Sequence, residues 1–189
     1  MNEILRIYEE TGAIKKGHFL LSSGLHSDTY FQSALVLQYP KYSEFLCKSL
    51  ANHFKNYKID VVVGPAIGAI IVAYETAKFL NARAIFTERE NGIMKLRRGF
   101  YINENENILI VEDVITTGSS TNEVIEVVKS YNANIVGIGC LIDRSENVKF
   151  DYPFYSLVKV IVKTYRPENC ELCALKIPIE KPGSKEWKK

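Results

Sequence analysis

The spacing of apolar residues changes near residue 59, and the change divides the chain in two. Before it, Ile4, Leu5 and Tyr8 recur at helical spacing and predict an amphipathic helix over residues 3–11, stopped by Gly12. Phe45, Leu46, Leu50 and Phe54 predict a second helix, opening on Pro40 and running to residue 55. Between the two, residues 17–21 and 30–34 read as strands flanking a polar turn, together a small lid on the main fold.

Beyond residue 59, short β-prone runs alternate with helical patterns. Runs at 59–63, 84–87, 108–111 and 135–142 predict buried strands, and residues 70–80 predict a helix. A further helix starts near residue 120, with apolar positions Val124, Ile125, Val127, Val128 and Tyr131. Residues 155–162 read as an edge strand, followed by an irregular tail containing Pro167, Pro178 and Pro182. Such alternation implies right-handed crossovers and a parallel sheet covered on both faces. The expected fold is α/β, a doubly wound parallel sheet of order 2-1-3-4-5, in one domain of residues 1–189 with residues 1–36 forming an N-terminal hood. Its ligand crevice falls at the ends of the first and third core strands, which carry Gly64-Pro65-Ala66-Ile67-Gly68 and Glu112-Asp113.

Charge narrows the partners. Lys and Arg total 24 against 22 Asp and Glu, a net charge of +2, too balanced for a general nucleic-acid binder. The longest uncharged stretch, residues 61–74, is too short to span a bilayer and is interrupted by Gly64-Pro65. The start, MNEILRIYEETG, carries acidic residues and no long apolar run, unlike a secretory leader. Cys47, Cys140, Cys170 and Cys173 lack the spacing of a disulfide framework. The expectation is a soluble cytoplasmic protein with free thiols, partnered by neither nucleic acid nor membrane. Cys170-x-x-Cys173 is half of a zinc site, but no second pair exists and His18, His26 and His53 are scattered, so no residue is assigned to direct metal ligation.

The densest chemistry lies in ILIVEDVITTGSS, residues 108–120. Glu112 and Asp113 stand where the strand is expected to end, ahead of the turn Thr116-Thr117-Gly118-Ser119-Ser120, and Ser120 with Glu123 fits a capping box. A strand, a Gly/Ser/Thr turn and a helix N-terminus gather backbone N–H groups around an anion. Acceptor-only carboxylates beside them suit sugar hydroxyls or a divalent cation. Together they describe a ribose 5-phosphate pocket; the alternative is that Asp113 fixes the turn and Ser120 caps the helix.

Two further stretches carry paired readings. ERENGIMKLRRGF, residues 88–100, concentrates Arg89, Lys95, Arg97 and Arg98, as either a solvated connection or a mobile basic flap over an anionic substrate. Arg144, at the ligand end of strand 135–142, is either a carboxylate receptor or the surface partner of Asp143.

EDVITTGSS resembles the phosphoribosyl pyrophosphate (PRPP) signature of type I phosphoribosyltransferases: two acids, apolar residues, then Thr-Thr-Gly and small hydroxyl residues. A narrower resemblance, to short-form orotate phosphoribosyltransferases, is carried by GHFLLSSGLHSDTYFQ (17–32), GPAIGAIIVAYETA (64–77), FTERENGIMKLRRGF (86–100), LIDRS (141–145), NCELC (169–173) and KPGS (181–184). It implies transfer of ribose 5-phosphate from PRPP to orotate, giving orotidine 5′-monophosphate and pyrophosphate in pyrimidine (UMP) biosynthesis, with Mg²⁺ as cofactor and a homodimer as the assembly.

By the same resemblance, Glu112 and Asp113 hold the ribose hydroxyls, Val114 and Ile115 continue the PRPP motif, and Thr116, Thr117, Gly118, Ser119 and Ser120 wrap the 5-phosphate. Arg89 meets pyrophosphate, Thr117 and Arg144 contact orotate, and Tyr30 and Phe31 lie against the pyrimidine. Asp113 and the loop's Lys95 take the catalytic positions. Two departures stand out: Ile67-Gly68 occupies the place of a Tyr-Lys pair found in many orotate enzymes, and Lys95 is the sole lysine between Arg89 and Phe100. The same signature also admits a purine or other base phosphoribosyltransferase, or a PRPP-sensing regulator on the same fold. The regulator needs a helix-turn-helix or a broad basic face, and neither is seen before residue 59.

Overall fold

The computed structural model describes residues 2–21 and 23–182; Ser22 and the Gly183-Ser184 end of KPGS lie outside the described residues. In chain order the elements are α1 (Glu3–Glu10), β1 (Ile14–Leu20), β2 (His26–Phe31), α2 (Ala34–Leu37), α3 (Pro40–Phe54), β3 (Val61–Pro65), α4 (Ile70–Leu80) and β4 (Arg83–Glu90). There follow β5 (Ile93–Leu96), β6 (Asn107–Ile115), α5 (Ser119–Lys129), β7 (Asn134–Asp143), β8 (Phe154–Lys159), β9 (Thr164–Tyr165), a 3-10 turn (Pro167–Asn169) and α6 (Glu171–Ala174).

The main sheet has the order β5-β4-β3-β6-β7-β8. With β3, β4, β6, β7 and β8 counted as the five core strands, this is the expected 2-1-3-4-5, extended by the antiparallel β5. Strand side chains alternate between two covered faces. Val62, Leu109, Val111 and Leu141 meet Leu46, Leu50 and Phe54 of α3 and Val72 of α4 on one face. Val61, Val63, Ile108, Ile110 and Ile138 meet Val124, Ile125 and Val128 of α5 on the other. Gly139 allows the close α3 contact, since a Cβ there would lie 3.1 Å from both Leu50 and Phe54.

Three local outcomes differ from the expectation. β6 continues through both carboxylates to Ile115, so Glu112 and Asp113 project from the strand rather than from the turn beyond it. The charged segment 88–100 is no open loop: β4 is longer than expected and folds back as β5, with Thr87 opposite Leu96 and Glu90 opposite Ile93. Its turn is Asn91-Gly92, at φ 52° and 84°, the left-handed pair that a two-residue hairpin demands. That Asn-Gly signal is legible in the sequence, but the surrounding charge obscures it.

The hood is also more than residues 1–36. β1 and β2 pair antiparallel, and β9, from the far end of the chain, pairs with β2 through Ser27 and Thr164. Beyond it, the Leu20 N–H donates to the Glu180 carbonyl and the Glu180 N–H to the His18 carbonyl, each at 2.7 Å. A two-stranded ribbon leaves its edges unpaired; here the tail supplies partners on both sides. No described helix is long and apolar enough to cross a membrane.

Candidate functional site

The crevice forms where β3 and β6, neighbours from Val61–Ile108 to Val63–Ile110, send their following segments to opposite faces of the sheet. After β3, Gly68 passes directly beneath Asp113: a Cβ at Gly68 would sit 2.9 Å from Asp113 Oδ1. Any larger residue would displace the carboxylate or the loop.

On β6, Glu112 is buried and Asp113 partly so, and Glu112 Oε1 accepts the Asp113 N–H at 3.3 Å. Burial pushes the Glu112 carboxyl well above the usual carboxylate range, the Asp113 charge adds to this, and Arg89 opposes it only in part. Burial likewise raises Asp113, partly offset by hydrogen bonds. Carboxylates in this condition are short of positive charge. They suit a cation or a diol.

Beyond β6 the chain turns through Thr116, Thr117 and Gly118, whose φ of 71° places it in the left-handed region. The Thr117 and Gly118 N–H groups have no backbone partner among the described residues. The capping box does not form. Gly118 is the N-cap of α5 and Ser120 lies inside the helix. The reason is Arg89, which crosses from the end of β4 to claim both box side chains. Its Nε and NH2 donate to Glu123 at 3.0 and 2.9 Å, and NH2 donates to Ser120 Oγ at 3.2 Å.

Two adjoining cavities use these parts. One, of 590 Å³, is lined by Arg89, Glu112, Val114 and the turn residues Thr116, Thr117, Gly118, Ser119 and Ser120. The other, of 380 Å³, shares Arg89, Glu112, Val114, Thr116 and Ser120 and adds Asp113, Tyr30, Phe31 and Arg144. Ile115 lines the first cavity while packing almost wholly into the core, and its carbonyl accepts the Arg144 N–H at 2.8 Å. Thr117 lines the first cavity but not the second; it meets Arg144 across a neighbouring cavity of 330 Å³.

Arg144 is partly buried, and its guanidinium is poorly partnered. Its Nε is buried without a hydrogen-bond partner among the described residues, and NH2 reaches the Thr29 carbonyl only at 3.5 Å. Its Cζ lies 5.5 Å from the Phe31 ring centroid, and burial lowers its pKa, opposed by Tyr30. The reading of Arg144 as partner of Asp143 fails. Asp143 accepts the Ser145 N–H at 2.8 Å and its hydroxyl at 2.6 Å, and pairs with Lys159 at 3.4 Å. An unpaired buried guanidinium donor is costly without a ligand.

Lys95 is not brought to the cavities. It lies on β5, opposite Glu88, with Nζ 2.9 Å from Glu90. Arg97 reaches Glu88 and Glu90, and Arg98 reaches Glu88 at 2.7 Å. Of the four cations in the expected flap, Arg89 alone lines the crevice, because the hairpin's own acids hold the rest. Conversely, Leu20, Leu21, Lys181 and Pro182 line the smaller cavity, although no site role is assigned to them from the sequence. The tail's pairing with β1 brings them there.

Residues 40–169 match the model of the phosphoribosyl transferase domain. The orotate phosphoribosyltransferase of a Thermoanaerobacter species is 56% identical over 186 residues, covering 98% of each chain. That of Caldanaerobacter subterraneus is 54% identical over 185 residues, covering 97% of each. Among solved structures, orotate phosphoribosyltransferase from Aeropyrum pernix superposes with a TM-score of 0.66 at 22% identity, covering 82% of this chain and 93% of that one, a likeness of fold.

Proposed function

The chain belongs to the phosphoribosyl transferase family, and from that premise we propose that it is an orotate phosphoribosyltransferase, converting orotate and PRPP to orotidine 5′-monophosphate and pyrophosphate. The observation that carries the choice of base is Arg144. Its Nε, without a hydrogen-bond partner among the described residues, and its place over the Phe31 ring suit it to receive a planar, carboxylate-bearing ring by paired hydrogen bonds and stacking.

In this reading the 5-phosphate occupies the larger cavity, received by the amides of Thr117 and Gly118 and the start of α5. Glu112 and Asp113 accept from the ribose hydroxyls. Orotate enters the smaller cavity between Tyr30, Phe31 and Arg144, with its ring nitrogen toward the sugar. As the C1–oxygen bond to pyrophosphate lengthens, the ribose gains oxocarbenium character. The ring nitrogen bonds C1 from the opposite face as the bond to pyrophosphate breaks, and its proton passes to an oxygen of the departing pyrophosphate. Asp113, beside the ribose, holds the sugar while positive charge develops on it. Arg89 faces the departing pyrophosphate, exchanging Glu123 for phosphate oxygens. Lys95 takes no part in this scheme.

The donor set also fits Mg²⁺, since a buried and a partly buried carboxylate, both short of counter-charge, sit beside the anion cradle. Glu112 and Asp113 would hold it, directly or through water, and it would supply charge neutralisation for pyrophosphate. Assembly as a homodimer, for which Ile71 and Tyr74 leave an apolar surface on α4, and a cytoplasmic location, suited to four free cysteines, belong to the same proposal.

The test is to incubate the protein with PRPP, Mg²⁺ and, separately, orotate, uracil, adenine and hypoxanthine, following loss of the base by absorbance and chromatography. Turnover of orotate alone is expected. Turnover of a purine without orotate would move the assignment to another base, and tight PRPP binding with no turnover of any base would make the protein a regulator.

A further inference from the structure

In the hood, lining neither of the two cavities, the fold assembles His18, His26, Cys170 and Cys173. One ligand atom from each lies within 4.8 Å of the other three. The residues come from three places: His18 from β1, His26 from the first position of β2, and the two cysteines from the α6 turn near the opposite end of the chain. His18, His26 and Cys170 are buried at 2%, 7% and 4% exposure, and Cys173 closes the outer side.

The tautomer of His18 follows from its neighbour. Nδ1 lies 2.8 Å from the Ile177 carbonyl, which can only accept, so Nδ1 carries the proton and Nε2 presents its lone pair. That lone pair faces His26 Nδ1 at 2.9 Å, Cys170 Sγ at 3.5 Å and Cys173 Sγ at 3.7 Å. Cys173 Sγ is in turn 3.4 Å from His26 Nδ1. One lone pair cannot serve three donors, whereas a cation among them uses all four groups. Around tetrahedral zinc, with bonds of roughly 2.0–2.1 Å to nitrogen and 2.3 Å to sulfur, N···S edges are about 3.6 Å and N···N edges about 3.3 Å. The three N···S separations fall within 0.2 Å of that edge, and the N···N pair needs to open by a few tenths of an ångström. The backbone carbonyl that orients His18 is the outer-sphere support usual for a metal-bound imidazole.

We propose that His18, His26, Cys170 and Cys173 form a structural Zn²⁺ site that staples the C-terminal segment to the hood. Two thiolates and two imidazoles select zinc over the hard cations, and four protein ligands leave no open position for catalysis. The staple has a place to act. Immediately past His18, Leu20 pairs with Glu180, and Leu20, Leu21, Lys181 and Pro182 wall the smaller cavity. The metal therefore holds the wall against which the base lies, independently of which base that is.

The experiment uses the full chain, purified under reducing conditions from zinc-supplemented medium. Elemental analysis should find about one zinc per chain. After removal with a chelator, Co²⁺ should restore one equivalent with visible bands and thiolate-to-metal charge transfer characteristic of a tetrahedral two-sulfur site. Chelation should lower the melting temperature by about 10 °C, and zinc should restore it. Cys173→Ser, at the exposed ligand, should lose the stoichiometric metal while keeping its circular dichroism spectrum. If that variant fails to fold, the wild-type metal content and Co²⁺ spectrum still decide. Reduced wild-type protein that neither retains nor takes up stoichiometric zinc would overturn the proposal. So would a Cys170–Cys173 disulfide in place of metal, detected as a two-dalton mass deficit, or undiminished zinc in Cys173→Ser.

Discussion

Two charged segments reach the ligand edge of the sheet on strands that flank β3, and their charges are in opposite conditions. At the tip of β6, Glu112 and Asp113 are held in low-dielectric surroundings that raise both carboxyls, and the turn beyond them leaves amides without backbone partners among the described residues. Along the β4–β5 hairpin, Lys95, Arg97 and Arg98 are exposed and already paired with Glu88 and Glu90. Charge density alone favours the hairpin as the binding element. Satisfaction reverses the ranking, because a group lacking its partner in the folded chain gains most from a ligand, while a paired surface ion gains little by exchange. Arg89 bridges the two conditions, lying in the crevice yet paired with Glu123.

The largest test of this contrast is Arg144→Ala. Losing a charge-assisted pair to the base carboxylate should raise the KM for orotate about 100-fold, with the KM for PRPP changed by less than about threefold. Steady-state kinetics that found equal rises for both substrates would remove the carboxylate role. Asp113→Asn comes next, weakening PRPP by about 10- to 30-fold in calorimetric titration, since a neutral amide accepts less strongly from ribose hydroxyls. Unchanged PRPP affinity would refute the diol assignment.

Proton linkage gives a third, smaller effect. The folded-state pKa of Glu112 is raised, so the folded protein holds this proton more tightly than the unfolded chain does. The resulting penalty is absent below the ordinary carboxylate pKa and grows as pH rises toward the shifted value. Glu112→Gln should therefore stabilise the ligand-free protein at pH 7.5 by about 1–3 kcal/mol in denaturant titrations and by little at pH 4. Wild-type PRPP affinity should strengthen with rising pH through the same titration, and Glu112→Gln should flatten that profile. The smallest change belongs to the hairpin: Lys95→Ala should alter kcat by less than about threefold and the melting temperature by less than about 2 °C, because its exposed pair with Glu90 is screened. A 100-fold fall in kcat would instead mean that the hairpin exchanges its internal partners during turnover.

Where a functional unit is contiguous in the chain, its residues announce it. ILIVEDVITTGSS contains a buried strand, two acids, a flexible turn and a helix start in one run, and the crevice forms there. The same local reading misjudged Ser120 and Glu123, whose capping pattern is sound in isolation but loses to a guanidinium arriving from β4. Arg144 was open to two readings until the partners of Asp143 were known.

The order of the sheet, the switch point and the acid-and-amide tip were determined by the sequence itself. Period-two burial, turn chemistry and crossover handedness act over a few tens of residues. Only the tertiary structure decided which of the hairpin's cations are held by its own acids, which walls close the smaller cavity, and that histidines at 18 and 26 meet cysteines at 170 and 173. These outcomes depend on segments brought together through a shared core and on competition among charges for the same partners. Neither leaves a trace in the spacing of residues along one stretch of chain.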